Sequence, residues 1–375
     1  MKVRGAVLRK MGLPAPYAQS RPLQIEELEL APPGPGELLV RVRAAGLCHS
    51  DLSVIDGSRP RVMPMVLGHE AVGEVVEIGT NTPGYGKGDT VVFSFVPVCG
   101  HCNPCANGRA ALCEPGAKAN VAGTLLSGER RWQAHDGAAL NHHLGVSGFA
   151  EYTVVSARSA VKIDRDLPPE IAALFGCAVM TGVGAVVNTA RVAAGESVAV
   201  FGLGGVGLSV LLGARLAGAN PIVAVDVLPQ KLELAKSLGA TYTILAGDKT
   251  VDAVREATQG GAHHAFESVG SEQVLAQAYA ATRRGGGTIT LGLPHPDKKF
   301  TVSAVSLVAE ERTVKGSYMG SAVPSRDIPR FIALYRAGQL PVDRLLTHRL
   351  KLDDINPAFD RLARGEAVRQ VVMFD

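Results

Sequence analysis

The sequence predicts an α/β protein of two domains, one rich in β-strands and one built on a doubly wound parallel sheet. Three observations predict it. The chain has 375 residues, enough for two domains at roughly 100–200 residues each. Its first part carries short β-branched runs between turn clusters, whereas beyond Pro168 apolar strand-like runs alternate with helix-length amphipathic segments. That alternation is the mark of βαβ units. Finally, Gly202-Leu203-Gly204-Gly205-Val206-Gly207 stands where one such strand gives way to one such helix.

Composition narrows the class. Apolar residues make up 46% of the chain and charged ones 19%, so there is ample material for a core. The 43 glycines exceed the ordinary share of about 7% and imply many tight turns. A formal net charge of +3 without a basic cluster gives no reason to expect nucleic acid. The start, Met1-Lys2-Val3-Arg4-Gly5, is unlike a secretory signal. Residues 197–214 carry no charge and imitate a membrane span, but five glycines interrupt them and Glu196 and Arg215 flank them. A buried strand, turn and helix are expected there, not a membrane segment. Six cysteines without an export signal read as metal ligands or catalytic groups, in a cytoplasmic protein, rather than as disulfides.

In chain order, strands are expected at 38–42, 72–78 and 89–93, separated by the turn clusters Pro32-Pro33-Gly34-Pro35-Gly36 and Pro83-Gly84-Tyr85-Gly86-Lys87-Gly88. Residues 114–143 read as a long polar loop rimming a pocket. The second half predicts strands at 197–201, 221–225, 242–245, 264–267 and 288–291, with helices at 205–217 and 229–238. Helices at 326–336 and 353–364 and a strand at 370–374 close the chain.

The glycine run fits G-x-G-x-x-G, a weak signal alone that its setting strengthens. Val198-Ala199-Val200-Phe201 precedes it, an uninterrupted helical segment follows, and Asp226 ends the next strand 19 residues beyond Gly207. Gly202, Gly204 and Gly207 would let the backbone approach a pyrophosphate, which a helix N-terminus attracts. A carboxylate at Asp226 can bond a ribose 2′-hydroxyl but repels a 2′-phosphate, and no Arg follows it closely, so NAD is favoured over NADP.

Two cysteine constellations point to metal. Cys99-x₂-Cys102-x₂-Cys105-x₇-Cys113 supplies four thiols within fifteen residues. Four thiolates close a tetrahedral shell around zinc, which makes a structural site. The spacing also leaves an iron–sulfur cluster open, although Glu114 stands where bacterial ferredoxin runs place Pro. The remaining thiols, Cys48 and Cys177, flank Gly68-His69-Glu70. Two Cys and one His around zinc with an open position form a catalytic shell.

Taken together, Gly46-Leu47-Cys48-His49-Ser50-Asp51, Gly68-His69-Glu70-Ala71-Val72-Gly73, the four-cysteine loop, Gly176-Cys177, the glycine run and Asp226 resemble the zinc-containing medium-chain alcohol dehydrogenase family over essentially the whole chain. The resemblance implies a GroES-like β-rich catalytic domain (1–178 and 318–375) carrying both zinc sites, and a Rossmann NAD-binding domain (179–317), with the active site in the cleft. It implies catalytic zinc on Cys48, His69 and Cys177, and structural zinc on Cys99, Cys102, Cys105 and Cys113. Asp51 and Glu70 would stand behind these ligands, Asp51 orienting the imidazole of His69. His49 and Arg369 match positions at the cofactor pyrophosphate, Lys231 one near the adenosine ribose, Thr181 and Val206 positions beside the nicotinamide, and Phe95 one lining the alcohol pocket.

The implied activity is hydride transfer between an alcohol, or its aldehyde or ketone, and NAD, with zinc stabilising the alkoxide and Ser50 relaying the proton. The chain departs from many relatives by placing Ser53 where the relay continues through a histidine, which directs the proton to cofactor hydroxyls and water. A homodimer or homotetramer acting on a small molecule is expected. Two rival readings stand beside it: a thiol-adduct dehydrogenase of S-hydroxymethyl type, for which Glu129, Arg130 and Arg131 would meet an anionic substrate, and a non-enzymatic dinucleotide-binding protein. His142-His143 and His263-His264 read as structural or solvated. Trp132 would either face the pocket mouth or pack the loop.

Overall fold

The computed structural model describes the whole chain, Met1–Asp375. It divides into two compact units: Met1–Cys177 with Val323–Arg330 and Leu346–Asp375, and Ala178–Ala322 with Phe331–Leu345. The tail expected to return whole to the first domain is thus split, because the second half of the helix Pro324–Arg336 and the turn after it belong to the second unit.

The first unit is built on the strand Glu37–Gly46. Val40 and Val42 lie in the core while Arg41 and Arg43 are half-exposed, the period-two pattern of a half-buried strand. On one side it pairs antiparallel with Glu70–Ile78, which continues to Thr90–Phe93 and Ala160–Ile163. On the other it pairs with the C-terminal strand Arg369–Met373, followed by Leu346–Leu350. Two registers matter later: Gly46 stands opposite Glu70 in one pairing and opposite Val371 in the other. Leu38, Val40, Val42, Val75, Phe93, Phe149 and Phe359 pack into the core beside this sheet.

A small closed barrel joins Lys2–Leu8, Leu23–Leu30, Trp132–Gln133, Ala139–His142 and Met65–Val66. It corrects the reading of residues 114–143 as an irregular loop. A helix, Glu114–Ala122, is capped by the side chain of Cys113 accepting from Gly116 N, and the two short strands pair Trp132 with Leu140. The polar composition of this stretch hides them, since its arginines bond to groups of the same unit. Arg130 donates to Asn141 Oδ1 (2.8 Å), and Arg131 to the buried carboxylate of Glu37 (2.8 Å). Trp132 is wholly buried in an apolar cluster, so it packs rather than faces a pocket mouth.

The second unit is an all-parallel six-stranded sheet in the order Tyr242–Leu245, Ile222–Asp226, Val198–Phe201, Ala262–Glu267, Thr282–Thr290, Thr313–Gly316. The strand order reverses at Val198–Phe201, where a doubly wound sheet opens a crevice for a ligand. The uncharged stretch 197–214 falls into this strand and the buried helix Gly205–Leu216, and no single helix is long and apolar enough to cross a membrane. The strand Thr282–Thr290 begins earlier than the expected 288–291, because Thr282 pairs with Ala262 and Gly287 with His264 across a break in register.

Gly207 fixes how tightly the helix meets this sheet: a Cβ there would stand 1.8 Å from Gly202 O and 2.7 Å from Ser268 Oγ. Because backbone cannot yield as a flexible side chain does, Gly207→Ala is expected to lower the unfolding free energy by roughly 1–3 kcal/mol. Denaturant unfolding of the two proteins side by side measures this.

Candidate functional site

In the first unit, three segments bring one cluster together. Cys48 ends the strand side of the turn into the helix His49–Ile55 and caps that helix, its Sγ accepting from Ser50 N at 3.5 Å. Asp51 completes the cap by accepting from Cys48 N at 3.2 Å. His69 follows Gly68, whose φ of +92° and lack of a side chain let the turn press against the backbone of Phe149, 2.5 Å from where a Cβ would be. Cys177 leaves the turn Ala173–Gly176, and Gly176 lets that turn close on Phe93 O.

The sulfurs of Cys48 and Cys177, one ring nitrogen of His69 and a carboxylate oxygen of Glu70 all lie within 4.8 Å of one another, every residue buried. Asp51 Oδ1 holds His69 Nδ1 at 3.0 Å. That bond occupies Nδ1 and leaves Nε2, which is buried without a hydrogen-bond partner, as the nitrogen that would give up its proton to take a metal. Phe95 meets the same ring edge-on, with centroids 5.6 Å apart.

The electrostatics suit a cation. Burial opposes charge on His69, yet the Asp51 carboxylate and the Cys48 sulfur outweigh it and raise the imidazole to about 10. Cys48 is held well below the ordinary thiol range, first by a hydrogen bond with Cys177 and then by His69 and Arg369 against its burial. Cys177 is pushed up by the same partner and by burial. An orphaned imidazole nitrogen and a thiol pair sharing one proton form the donor set zinc takes, with one position left open.

Glu70 and Arg369 stand beside this set. The Arg369 guanidinium, 3% exposed, donates to Glu70 Oε1, while Glu70 Oε2 is buried and unbonded. Burial lifts Glu70 to about 7 against the pull of Arg369. Gly46 makes the pair possible, since a Cβ there would lie 2.6 Å from Glu70 Oε1 and 2.9 Å from Arg369 Nη2. Arg369, expected at a pyrophosphate, is thus engaged with Glu70 inside the first unit. On the helix, His49 is exposed and Ser50 and Ser53 half-buried.

The four-cysteine loop folds locally. Backbone N–H groups of Cys102, Cys99 and Gly116 donate to the sulfurs of Cys99 (3.3 Å) and Cys113 (3.2 and 3.4 Å). No cysteine is in a disulfide, and Cys99 and Cys105 sulfurs are 4.0 Å apart. Four thiolates at about 2.3 Å from one zinc would be roughly 3.8 Å apart, so the spacing fits a single ion and not a cluster that gives each thiolate its own iron. Cys99 lies at about 7, lowered by N–H donors despite burial, whereas burial and its neighbours push Cys105 to about 12.

In the second unit, Gly202 adopts φ +89° and Gly204, the N-cap of Gly205–Leu216, has open space where a Cβ would be. Asp226 ends its strand with Oδ2 accepting from Leu203 N (2.7 Å) and Oδ1 from Leu228 N (3.0 Å). Val206 lies in the first turn of Gly205–Leu216, Lys231 in that of Pro229–Leu238, and Thr181 on the buried helix Ala178–Gly184.

One residue of the first cluster was not legible beforehand. His143 is buried, with Nδ1 3.2 Å from Asp51 Oδ1. Its setting in a polar run, Asn141-His142-His143, carries no local signal. His142 is also buried rather than solvated, held near 3 by burial and the adjacent arginines, and it accepts from Arg131 N. His263 bonds Ser197 and Arg283, and His264 bonds Glu196, which are structural roles.

Because Glu70 is wholly enclosed, Arg369→Ala should cost roughly 3–5 kcal/mol, the penalty of leaving one buried charge unpaired. The double change Glu70→Leu with Arg369→Met should recover most of that loss in denaturant unfolding. A single variant as stable as the parent would show that the pair is solvated.

Comparison with known proteins agrees with this geometry. Residues 34–165 match the family described as alcohol dehydrogenase GroES-like domain, and residues 205–337 match zinc-binding dehydrogenase. The chain is 37% identical to an S-(hydroxymethyl)glutathione dehydrogenase of Escherichia coli over 100% of both chains. Among solved structures, an alcohol dehydrogenase zinc-binding domain protein from Burkholderia ambifaria superposes with a TM-score of 0.93 at 36% identity, covering 100% of this chain and 99% of that one. The benzyl alcohol dehydrogenase of Acinetobacter calcoaceticus superposes at 0.92 and 33% identity, covering 100% of both. A nucleotide-type parallel sheet, a GroES-like unit and two thiol-rich clusters therefore have one common explanation: the chain belongs to the zinc-containing medium-chain alcohol dehydrogenase family and is an oxidoreductase.

Proposed function

We propose that this enzyme moves a hydride between an alcohol, or its aldehyde or ketone, and NAD, using two zinc ions per chain. The observation that carries this reading is the buried convergence of Cys48, His69 and Cys177 with the orphaned Nε2 of His69. These three would hold the catalytic ion, and Cys99, Cys102, Cys105 and Cys113 the structural one. When bound, zinc supplies a Lewis acid at the substrate oxygen and NAD supplies the hydride acceptor.

The chain's own residues do the rest. Asp51 orients the imidazole of His69, and Glu70 with Arg369 sets the charge around the sulfurs. Phe95, edge-on to His69, would wall the substrate position with apolar surface. Ser50 would accept the substrate's hydroxyl proton while passing its own onward. Ser53, one turn along, does not titrate near neutral pH, so the proton would leave by cofactor hydroxyls and water. Gly202, Gly204 and Gly207 would admit the pyrophosphate with His49 nearby, Lys231 the ribose, and Thr181 and Val206 the nicotinamide. Asp226 supports NAD over NADP, since its carboxylate would repel a 2′-phosphate.

The E. coli relative keeps a second reading in view, oxidation of the adduct between formaldehyde and a thiol. Against it, Arg130 and Arg131 are bonded within the first unit rather than presented to an anion. A panel of alcohols and aldehydes with NAD and NADP, each with and without glutathione, decides between them. NADH formation from a simple alcohol without thiol is expected; turnover only with glutathione and formaldehyde would replace the first reading with the second.

Two further outcomes follow from the residues. Metal analysis should find two zinc ions per chain in the parent and one in Cys177→Ser, which should not turn over. Two ions retained in that variant would detach Cys177 from the site. Ser50→Ala should lose turnover by on the order of 10²-fold, the usual worth of a positioned proton-transfer group, while NADH binding by fluorescence stays unchanged. Parental turnover would remove Ser50 from the proton path.

A further inference from the structure

We propose that His143 is a positioning residue of the catalytic metal site, holding the Asp51 carboxylate in the orientation that aims His69 Nε2 at the two sulfurs. The proposal rests on the zinc reading above and concerns a residue that reading does not use.

Asp51 has no exposed surface, and the contacts that fix its side chain are few. Oδ2 accepts from Cys48 N, while Oδ1 lies 3.0 Å from His69 Nδ1 and 3.2 Å from His143 Nδ1. Oδ1 therefore bonds the imidazole of His69 and stands within ion-pair distance of that of His143, whose buried Nδ1 has no hydrogen-bond partner elsewhere. The rings of His143 and His69 stand at 88° with centroids 5.4 Å apart, so His143 also abuts one side of the ligand ring, as Phe95 does at 89°. A histidine held by Asp51 alone could pivot about that one bond; the edge contacts on His69 remove the pivot.

The backbone places His143 for this purpose. The strand Ala139–His142 runs parallel to Met65–Val66 with His142 opposite Val66, which puts His143 beside the turn leading to His69. The two turns are then bonded to each other: Gly148 N donates to Gly68 O and Phe149 N to Leu67 O. His143 N is itself fixed by Ser147 Oγ at 3.1 Å. Its position is thus set independently of Asp51, as a support requires. A residue present only to fill space would need the ring volume, not an N–H at the Nδ1 position.

That distinction gives the test. An Asn amide nitrogen reproduces the Nδ1 position of His and a Gln amide nitrogen the Nε2 position, so His143→Asn and His143→Gln are compared with the parent and with His143→Phe. Each protein is loaded with zinc, and loss of metal to a chelator is followed; cobalt at the catalytic site supplies a visible spectrum. The cysteine loop's own zinc, retained, reports that each variant has folded. His143→Phe and His143→Gln should lose the catalytic ion about 10–100-fold faster, the usual effect of removing a support behind a ligand, with an altered cobalt spectrum. His143→Asn should keep parental behaviour. If Gln holds the metal as well as Asn, or if Phe leaves rate and spectrum unchanged, the proposal is overturned; this comparison of Asn with Gln stands even if Phe does not fold. A parent lacking a catalytic-site cobalt spectrum would instead overturn the zinc reading itself.

Discussion

The carboxylate of Asp51 is the group on which the site depends. It caps the helix that carries Cys48 and holds the imidazole of His69, so two candidate ligands 21 residues apart are fixed to one side chain. Enclosing a carboxylate costs several kcal/mol unless its oxygens find donors. Asp51 is held below the ordinary carboxylate range because the two histidines outweigh its burial. The arrangement is therefore close to all-or-none: without its donors Asp51 would not stay buried and charged, and without Asp51 the turn at Cys48 and the ring of His69 would have no common anchor.

A second constraint comes from strand register. Gly46 lies between Glu70 on one neighbouring strand and Val371 on the other, and its missing side chain opens a channel through which Arg369 reaches Glu70. The C-terminal strand thereby brings a guanidinium from the far end of the sequence to the candidate ligands. This explains why the final strand belongs with the first unit although some 190 residues separate it from Cys177. In a strand, one side chain fewer can matter as much as one more.

Legibility in the sequence followed how local the physics was. The four-cysteine loop was readable because its ligands fall within fifteen residues and the turns that fold it are written between them. The parallel sheet was readable because its central strands are continuous apolar runs, and the helix Pro229–Leu238 and the exposed edge strand Tyr242–Leu245 were found to the residue. Strands that pair at a distance were harder: Lys2–Leu8 and Leu23–Leu30 alternate charged with apolar residues, and only their barrel partners make them strands. Arg131, Trp132 and His143 were misjudged or left open for one reason. A polar or amphipathic side chain in a polar stretch looks solvated until a distant partner is known, and their partners are Glu37, a barrel core and Asp51.

The two cysteine sites solve the same electrostatic problem by different means. In the loop, peptide N–H groups face the sulfurs and lower Cys99, while burial and then the neighbouring sulfurs raise Cys105, so four thiolates together need a cation at their centre. In the other site the polarising groups are side chains: the Asp51 carboxylate and the Cys48 sulfur outweigh burial and raise the basicity of His69, while Arg369 helps hold Cys48 low. The negative groups beside His69 favour positive charge at this place, and their attraction for a cation scales with its charge at a given distance. The loop can be assembled by a short segment on its own, as a structural site requires. The second site draws on both ends of the first unit, and Glu70 and Arg369 act on the charge of its sulfurs from beside them.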